Sequence, residues 1–315
     1  MEWFRNSRLF ELARQGQRLT NVFALIPLSL VIVILSQFAA IPVYLRMRAI
    51  YGRDHVSDGS LIRVPPLVSG FWETLLLIAS FALIFVFVGL WLRFFEKRPF
   101  WTLGYELKDA AMKYGRGILI GMLMFGGVVG ILAASGNIAF EKGDPTQQGL
   151  AALGGVIIVL IGWIVQGGAE EVLFRGWVLS TLGARYRPWI GLLVSSLLFA
   201  LLHGLNPGLS ALAIVNLILF GVFAGLYAMR EGSIWGISAL HSVWNWVQGN
   251  FFGFEVSGTN AAGGTLLNLM ETGQDWFTGG PFGPEGGLAD TAVSLIGIMV
   301  VLFWKSKKTN QEMIA

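Results

Sequence analysis

Eight apolar runs of roughly bilayer length constrain this chain more than any other feature. A helix needs about 20 apolar residues to cross about 30 Å of hydrocarbon, and a backbone in lipid must satisfy its own hydrogen bonds. The sequence therefore predicts an all-α, polytopic membrane protein with about eight transmembrane helices. These spans are predicted over residues 21–45, 67–92, 117–140, 149–168 (continuing as a helix to about 183), 189–204, 211–229, 233–252 and 288–304.

The composition agrees with a protein that lives in the lipid bilayer. Hydrophobic residues make up 55% of the 315 residues and charged residues 13%, whereas a soluble domain carries about 25% charged residues. The net charge of +3 is small and indicates membrane topology, so we expect no nucleic-acid partner. Cysteine is absent, which excludes disulfides, thiolate metal sites and a cysteine nucleophile.

The distribution of basic residues predicts the orientation in the membrane. Most of the 22 Lys and Arg residues fall in alternate segments between the spans, beginning with the N-terminal segment. Short cytoplasmic segments are enriched in these residues, so both termini are predicted to be cytoplasmic. The first outside loop departs from this pattern, because it carries Arg46, Arg48, Arg53 and Arg63.

Three regions are predicted along the chain. Residues 1–145 comprise an N-terminal cytoplasmic segment and the first three spans. Residues 149–252 hold four spans and the residues that carry chemistry, and residues 253–315 hold a Gly-rich loop, the last span and a cytoplasmic tail. The first 20 residues are predicted to form a short amphipathic helix on the membrane surface. Its apolar side would consist of Trp3, Leu9, Phe10 and Ala13.

Two adjacent carboxylates, Glu170 and Glu171, lie deep in the fourth apolar run. An ionisable residue in a span is costly and marks a functional site by default. Glu171 precedes Arg175 by one helical turn, in the order that favours an ion pair. Glu170 falls on a neighbouring face without a local cation, and a carboxylate in an apolar setting binds protons more readily than in water, which suits a general base. The sequence therefore predicts a structural Glu171 and a catalytic Glu170.

Two histidines lie in the apolar segments that follow. Glu170 lies about sixteen residues before the turn near 186 and His203 about seventeen after it, so both would lie about 24 Å from the turn in an antiparallel helix pair. His241 and Asn245 are one turn apart and share a helix face. Their level is shallower than that of Glu170, unless the fourth span projects into the cytoplasm.

Three motifs in this region resemble those of a known family. They are EEVLFR (Glu170, Glu171, Arg175), FALLH (Phe199, His203) and HSVWN (His241, Asn245). Their order and spacing are similar to those of the CAAX-processing and bacteriocin-immunity (CPBP, or Abi) intramembrane proteases, also called type II CAAX prenyl endopeptidases. The resemblance covers about residues 155–252.

The resemblance implies an intramembrane endopeptidase with a membrane-tethered peptide or protein as its substrate. Glu170 and His203 would activate a water molecule that attacks the peptide carbonyl. His241 and Asn245 would stabilise the oxyanion. We expect the Glu171–Arg175 ion pair and the packing of Phe199 against His203 to support this site.

The role of a metal stays open at this point, because the family has been described both as metalloproteases and as metal-independent glutamate proteases. Glu170, His203 and His241 have the ligand count of a catalytic zinc site. The HExxH pattern, however, is absent. We favour the mechanism that requires no cofactor, with a divalent metal such as zinc as the alternative.

Two other classes of function use the same residues. A proton-coupled transporter would pass protons through Glu170, His203 and Glu171, but the inverted repeats and broken helices typical of transporters are not apparent. A non-catalytic immunity or binding protein would keep the fold and sequester a peptide. The intact motifs favour the endopeptidase.

Overall fold

The computed structural model describes residues 2–52, 56–57, 60–61 and 64–304, and this part of the chain is mainly helical. The predicted tail after residue 304, together with Arg53 and Arg63, lies outside the described residues. The helices are α1 (Glu2–Arg5), α2 (Arg8–Ala13), α3 (Val22–Phe38), α4 (Ala40–Tyr51), α5 (Pro66–Trp91), α6 (Ala110–Ala134), α7 (Leu153–Glu171), α8 (Ser180–Arg185), α9 (Pro188–Leu202), α10 (Ala211–Glu231), α11 (Trp235–Trp246), α12 (Asp275–Thr278) and α13 (Leu288–Phe303).

Short segments of other structure join these helices. Four short strands, β1 (Val56–Ser57), β2 (Ser60–Leu61), β3 (Ile138–Phe140) and β4 (Leu269–Glu271), form two antiparallel pairs. π-helical segments extend α5, α7 and α11 over Leu92–Glu96, Val172–Leu179 and Val247–Phe252. Turns of 3₁₀ helix occur at Phe100–Leu103, Pro145–Gln147, Gly149–Ala152, Gly280–Phe282 and Pro284–Gly286.

The predicted all-α membrane architecture is confirmed. Among the described residues, five helical segments are long and apolar enough to cross a bilayer: Val22–Tyr51, Pro66–Glu96, Ala110–Ala134, Gly149–Arg185 and Ala211–Glu231. The fifth and eighth predicted spans correspond to the shorter apolar helices α9 and α13. The seventh corresponds to α11 with its π-helical extension. The count of eight spans stays a prediction.

The third span ends earlier than the sequence predicts. Helix α6 ends at Ala134, and Gly136 follows with a φ of +72°, a left-handed conformation that commonly terminates helices. Residues 138–140, predicted to be helical, form β3 instead. This strand pairs with β4, with Ile138 opposite Glu271, and so ties the end of α6 to the Gly-rich loop.

The prediction of a membrane-surface helix at the N-terminus is wrong. Residues 2–13 form two short helices, and Leu9, Phe10, Leu12 and Ala13 of α2 are fully buried. Helix α2 is anchored by a hydrogen bond of 2.8 Å from Ser7 Oγ to the Met229 carbonyl. Its apolar side therefore packs inside the protein, against α8 and the end of α10, and not against lipid.

Small residues bring α7 close to its neighbours α5 and α11. An added Cβ atom at Gly70 of α5 would lie 2.8 Å from the Gly155 carbonyl oxygen, and one at Gly167 would lie 2.6 Å from Ser242 Oγ of α11. Such residues allow close backbone approach between helices in lipid. They set the distance between the helix that carries Glu170 and the helix that carries His241.

We expect Gly117→Ala to destabilise the packing of α6 on α11. An added Cβ at Gly117 would overlap the Gly236 carbonyl oxygen and lie 2.9 Å from Ala239 Cβ. The resulting shift should lower the free energy of unfolding by about 1–3 kcal/mol. Gly126→Ala is the matched control on the same helix, since nothing lies within 4 Å of its added Cβ. Equal melting temperatures in detergent would contradict this contact.

Candidate active site

A cavity of about 750 Å³ lies where α7, α9, α10 and α11 meet. Glu170, His203, His241 and Asn245 all line it, so the structure brings together the four residues that the sequence singles out. Glu170 comes from α7, His203 follows the last residue of α9, and the other two lie on α11. Glu170 and His241 were expected to lie at one level only if the fourth span extends beyond the membrane. The helical segment Gly149–Arg185 is long enough for such an extension.

The Glu171 carboxylate is fully buried and binds two partners. Its Oε1 atom lies 2.8 Å from Arg175 Nη1 and 2.9 Å from His241 Nδ1. A carboxylate accepts hydrogen bonds, so His241 donates from Nδ1 and its Nε2 atom faces the cavity. The ion pair expected between Glu171 and Arg175 is present. The same carboxylate also orients the His241 ring, which the sequence did not indicate.

Arg175 lies entirely inside the protein and is surrounded by aromatic rings. Its guanidinium lies 4.7 Å from the Phe199 ring centroid and 5.8 Å from that of Phe220. Cation–π contacts of this kind partly replace the water that a buried cation loses. The Phe220 ring also contacts His241, with centroids 5.2 Å apart. The ion pair and the imidazole therefore share one aromatic enclosure.

Glu170 has one bound and one unbound carboxylate oxygen. Its Oε1 atom accepts a hydrogen bond of 2.6 Å from Gln166 Nε2. Its Oε2 atom is buried and has no hydrogen-bond partner, and it lies 3.8 Å from His241 Nε2. An unpartnered buried carboxylate oxygen is costly unless water or a ligand satisfies it. The free oxygen of Glu170 is thus available to a molecule in the cavity.

His203 is held by the helix that precedes it. Its Nδ1 atom lies 2.8 Å from the Phe199 carbonyl oxygen, which can only accept, so Nδ1 carries a proton and the neutral ring has its lone pair on Nε2. The Phe199 ring lies 4.6 Å from the His203 ring, centroid to centroid. The expected packing of Phe199 against His203 is therefore present, and the Phe199 backbone contributes as well.

Gln166 and Glu285 are among the polar cavity residues that the sequence did not indicate. Gln166 accepts a hydrogen bond of 2.9 Å from Asn245 Nδ2 and donates one to Glu170. It therefore links the first motif to the third. Its position one turn before Glu170 was a signal that could have identified it. Glu285 of the Gly-rich loop also lines the cavity, and no periodicity in that loop points to it.

A metal ion at this site stays a prediction, with Glu170, His203 and His241 as its candidate ligands. Within the described residues, no group of three or more His, Cys, Asp or Glu side chains is placed to hold a metal ion. Glu170, His203 and His241 line the same cavity.

Much of the remaining cavity wall is apolar. Residues of α3, α4 and α5 contribute to it, among them Ile34, Phe38, Ile41 and Phe81. Ligand sites commonly combine apolar walls with a few converging polar groups. The arrangement can therefore hold an apolar chain beside the polar cluster of Glu170 and the two histidines.

Comparison with protein families gives one match. Residues 152–247 match the family described as Type II CAAX prenyl endopeptidase Rce1-like. Comparison with curated proteins and with solved structures finds no match. The family match confirms the resemblance carried by the three motifs, which lie within the matched residues.

We expect Arg175→Ala to destabilise the protein strongly. The substitution leaves Glu171 buried without its guanidinium partner, which should cost about 3–5 kcal/mol of unfolding free energy. Arg187→Ala, at an exposed position two residues after α8, is the control and should have little effect. Thermal unfolding of both variants in detergent measures the difference. A melting temperature for Arg175→Ala equal to that of the control would disprove the structural role of the pair.

Proposed function

We propose that this chain, whose residues 152–247 belong to the type II CAAX prenyl endopeptidase family, is an intramembrane endopeptidase that hydrolyses a peptide bond with water activated by Glu170. The observation that carries the proposal is the buried Oε2 atom of Glu170, a cavity-lining residue: this atom has no hydrogen-bond partner and lies 3.8 Å from His241 Nε2. The substrate is a membrane-tethered peptide or protein, whose apolar part would contact the apolar cavity wall.

In the proposed reaction, Glu170 Oε2 accepts a proton from a water molecule as the water oxygen attacks the carbonyl carbon. General-base catalysis requires the base within hydrogen-bond distance of the proton it removes. The hydrogen bond from Gln166 to Oε1 fixes the carboxylate, so that Oε2 remains directed toward the cavity. His203 assists by accepting a hydrogen bond from the same water at its Nε2 lone pair, while Phe199 holds Nδ1. The proton then passes from Glu170 to the leaving nitrogen as the carbon–nitrogen bond breaks.

His241 and Asn245 supply the donors for the oxyanion. A donor at His241 Nε2 requires the doubly protonated ring, because Nδ1 already donates to Glu171. The protonated ring donates from Nδ1 to Glu171 and directs a second N–H toward the cavity. Asn245 uses one amide hydrogen for Gln166 and keeps another for the substrate. Preorganised donors of this kind stabilise developing negative charge.

The proposed mechanism uses no metal. This preference is supported by the lack, within the described part of the chain, of a group of three or more His, Cys, Asp or Glu side chains placed to hold a metal ion. Every proton transfer in the mechanism is assigned to a side chain of the protein itself.

We expect Glu170→Gln to lower kcat by about 10²–10⁴-fold, because the amide cannot accept the proton. The variant should fold normally, since Gln keeps an oxygen for Gln166. Cleavage of a fluorogenic peptide that ends in a prenylated CAAX motif, in proteoliposomes, measures the effect, and an unprenylated analogue tests the need for the lipid. Comparison of peptide termini in membranes that contain either version extends the test to natural substrates. Full turnover by Glu170→Gln would refute the proposal. A protein that acts by sequestering a peptide would keep its cellular phenotype in this variant.

Activity should also survive removal of divalent metal ions. Because the proposed base and oxyanion donors are side chains, incubation with a strong chelator followed by desalting should leave kcat/KM unchanged. The same reporter peptide in proteoliposomes measures this. Loss of activity that returns on addition of zinc would replace the proposed mechanism with the metal-dependent alternative.

A further inference from the structure

The two ends of the helix bundle differ in charge. One end, the basic end, consists of α2, α8, the segment between α5 and α6, and the last turn of α10. Hydrogen bonds from Ser7 to the Met229 carbonyl (2.8 Å) and from Arg98 to Thr181 (3.0 Å) hold these parts together. Exposed basic side chains are frequent there, among them Arg8, Arg14, Lys97, Lys108, Arg185 and Arg187.

The opposite end, the loop end, consists of strand β3, the turn after α9 and the Gly-rich loop that follows α11. Asn206 Nδ2 in that turn donates a hydrogen bond of 3.0 Å to the Ser257 carbonyl of the loop. Lys142 is the only Lys or Arg in the three segments that build this end, residues 136–152, 203–210 and 253–287. The loop end is therefore poor in basic residues.

The active-site cavity extends from Glu170 to the loop end. Thr259 of the loop and Leu205 of the turn after α9 line the cavity and are exposed, so they form part of its rim. Apart from the residues of the three motifs and Gln166, most of the polar lining comes from this half of the bundle, namely Gln37, Glu73, Asn206, Ser257, Thr259 and Glu285.

The Gly-rich loop is a fixed part of this cavity wall. Asn216 Nδ2 on α10 donates to the Glu285 carbonyl oxygen at 2.9 Å, and Ser257 Oγ donates to Glu285 Oε1 at 2.7 Å. An added Cβ at Gly208 would lie 2.6 Å from the Pro281 carbonyl carbon, so the loop and the turn after α9 are in close contact. The cavity therefore opens between elements that are anchored to one another at the loop end.

Tightly packed side chains close the cavity towards the basic end. One hydrophobic cluster continues from Leu173 and Phe199, which line the cavity, to Leu9, Leu103 and Trp177. The last three side chains are fully buried. Among the described residues, none of α2, α8 or the segment between α5 and α6 lines the cavity. A peptide that approached from the basic end would have to displace this core.

Charge and access together predict the side of the membrane from which the substrate enters. Short cytoplasmic segments are enriched in Lys and Arg, which assigns the basic end to the cytoplasm in spite of Arg46 and Arg48 of α4. We infer that the cavity opens on the opposite, extracytoplasmic side, and that the substrate is a membrane-anchored peptide or protein whose scissile bond lies in an extracytoplasmic segment close to its anchor. The choice of substrate rests on the proposed function, whereas the direction of the opening does not.

Single cysteines test the direction of the opening, because the chain contains no cysteine of its own. Thr259→Cys lies at the cavity rim, Lys142→Cys at the loop end outside the cavity, and Arg187→Cys at the basic end, and all three positions are exposed. In intact spheroplasts, a membrane-impermeant maleimide should label the first two, whereas Arg187→Cys should be labelled only after permeabilisation. Protection of Thr259→Cys, or labelling of Arg187→Cys in intact spheroplasts, would overturn the inference.

Sealed membrane vesicles of both orientations test the substrate class. The reporter is a charged peptide that cannot cross the bilayer, with its scissile bond next to a prenyl anchor. Right-side-out vesicles should cleave it, inverted vesicles should lack this activity until detergent opens them, and vesicles with Glu170→Gln give the background. Cleavage by sealed inverted vesicles alone would overturn the inference. If neither orientation cleaves the reporter even in detergent, the proposed function fails, and the cysteine labels still decide the direction of the opening.

Discussion

The buried carboxylate of Glu171 is the interaction on which the rest of the site depends. It joins the guanidinium of Arg175, one turn along the same helix, to the imidazole of His241 on another helix. A charge in an apolar interior is tolerated only when partners compensate it, so these three groups must be assembled together. Their assembly fixes the separation of α7 and α11 and leaves His241 Nε2 beside Glu170. The close packing at Gly167 allows this geometry.

The sequence predicted most of the architecture, because the thickness of a bilayer sets the length of each apolar run. It was less accurate where the chain leaves the apolar region. The α6 helix ends at Ala134, since Gly136 terminates it and β3 finds a partner far along the sequence. The helix α2 was assigned to the membrane surface because an amphipathic pattern does not distinguish lipid from an apolar protein interior. Phe10 and Leu12 are buried by other helices, which no local pattern reveals.

The residues of the site were predictable to different degrees. Contacts between residues one helical turn apart, such as Glu171 and Arg175, follow from helix geometry. The three motifs predicted that His203 and His241 belong to one site, and both line the same cavity. The link between Glu171 and His241 joins residues 70 positions apart, which spacing alone does not indicate. The contact between Gln166 and Glu170, which also lie one helical turn apart, follows from the same geometry. Glu285 lies in an irregular loop whose path depends on tertiary contacts with Asn216 and Ser257.

The shortness of α9 bears on where the proposed hydrolysis would take place in the membrane. At about 1.5 Å per residue this helix is about 22 Å long, less than the roughly 30 Å of hydrocarbon around it. A helix of this length that starts at one membrane surface ends before the other, which would place the polar turn that begins at His203 within the membrane. Irregular backbone is tolerated at such depth only inside protein or beside water. For the proposed endopeptidase, the early end of α9 would thus bring His203 to a scissile bond below the membrane surface while the apolar anchor of the substrate stays in lipid.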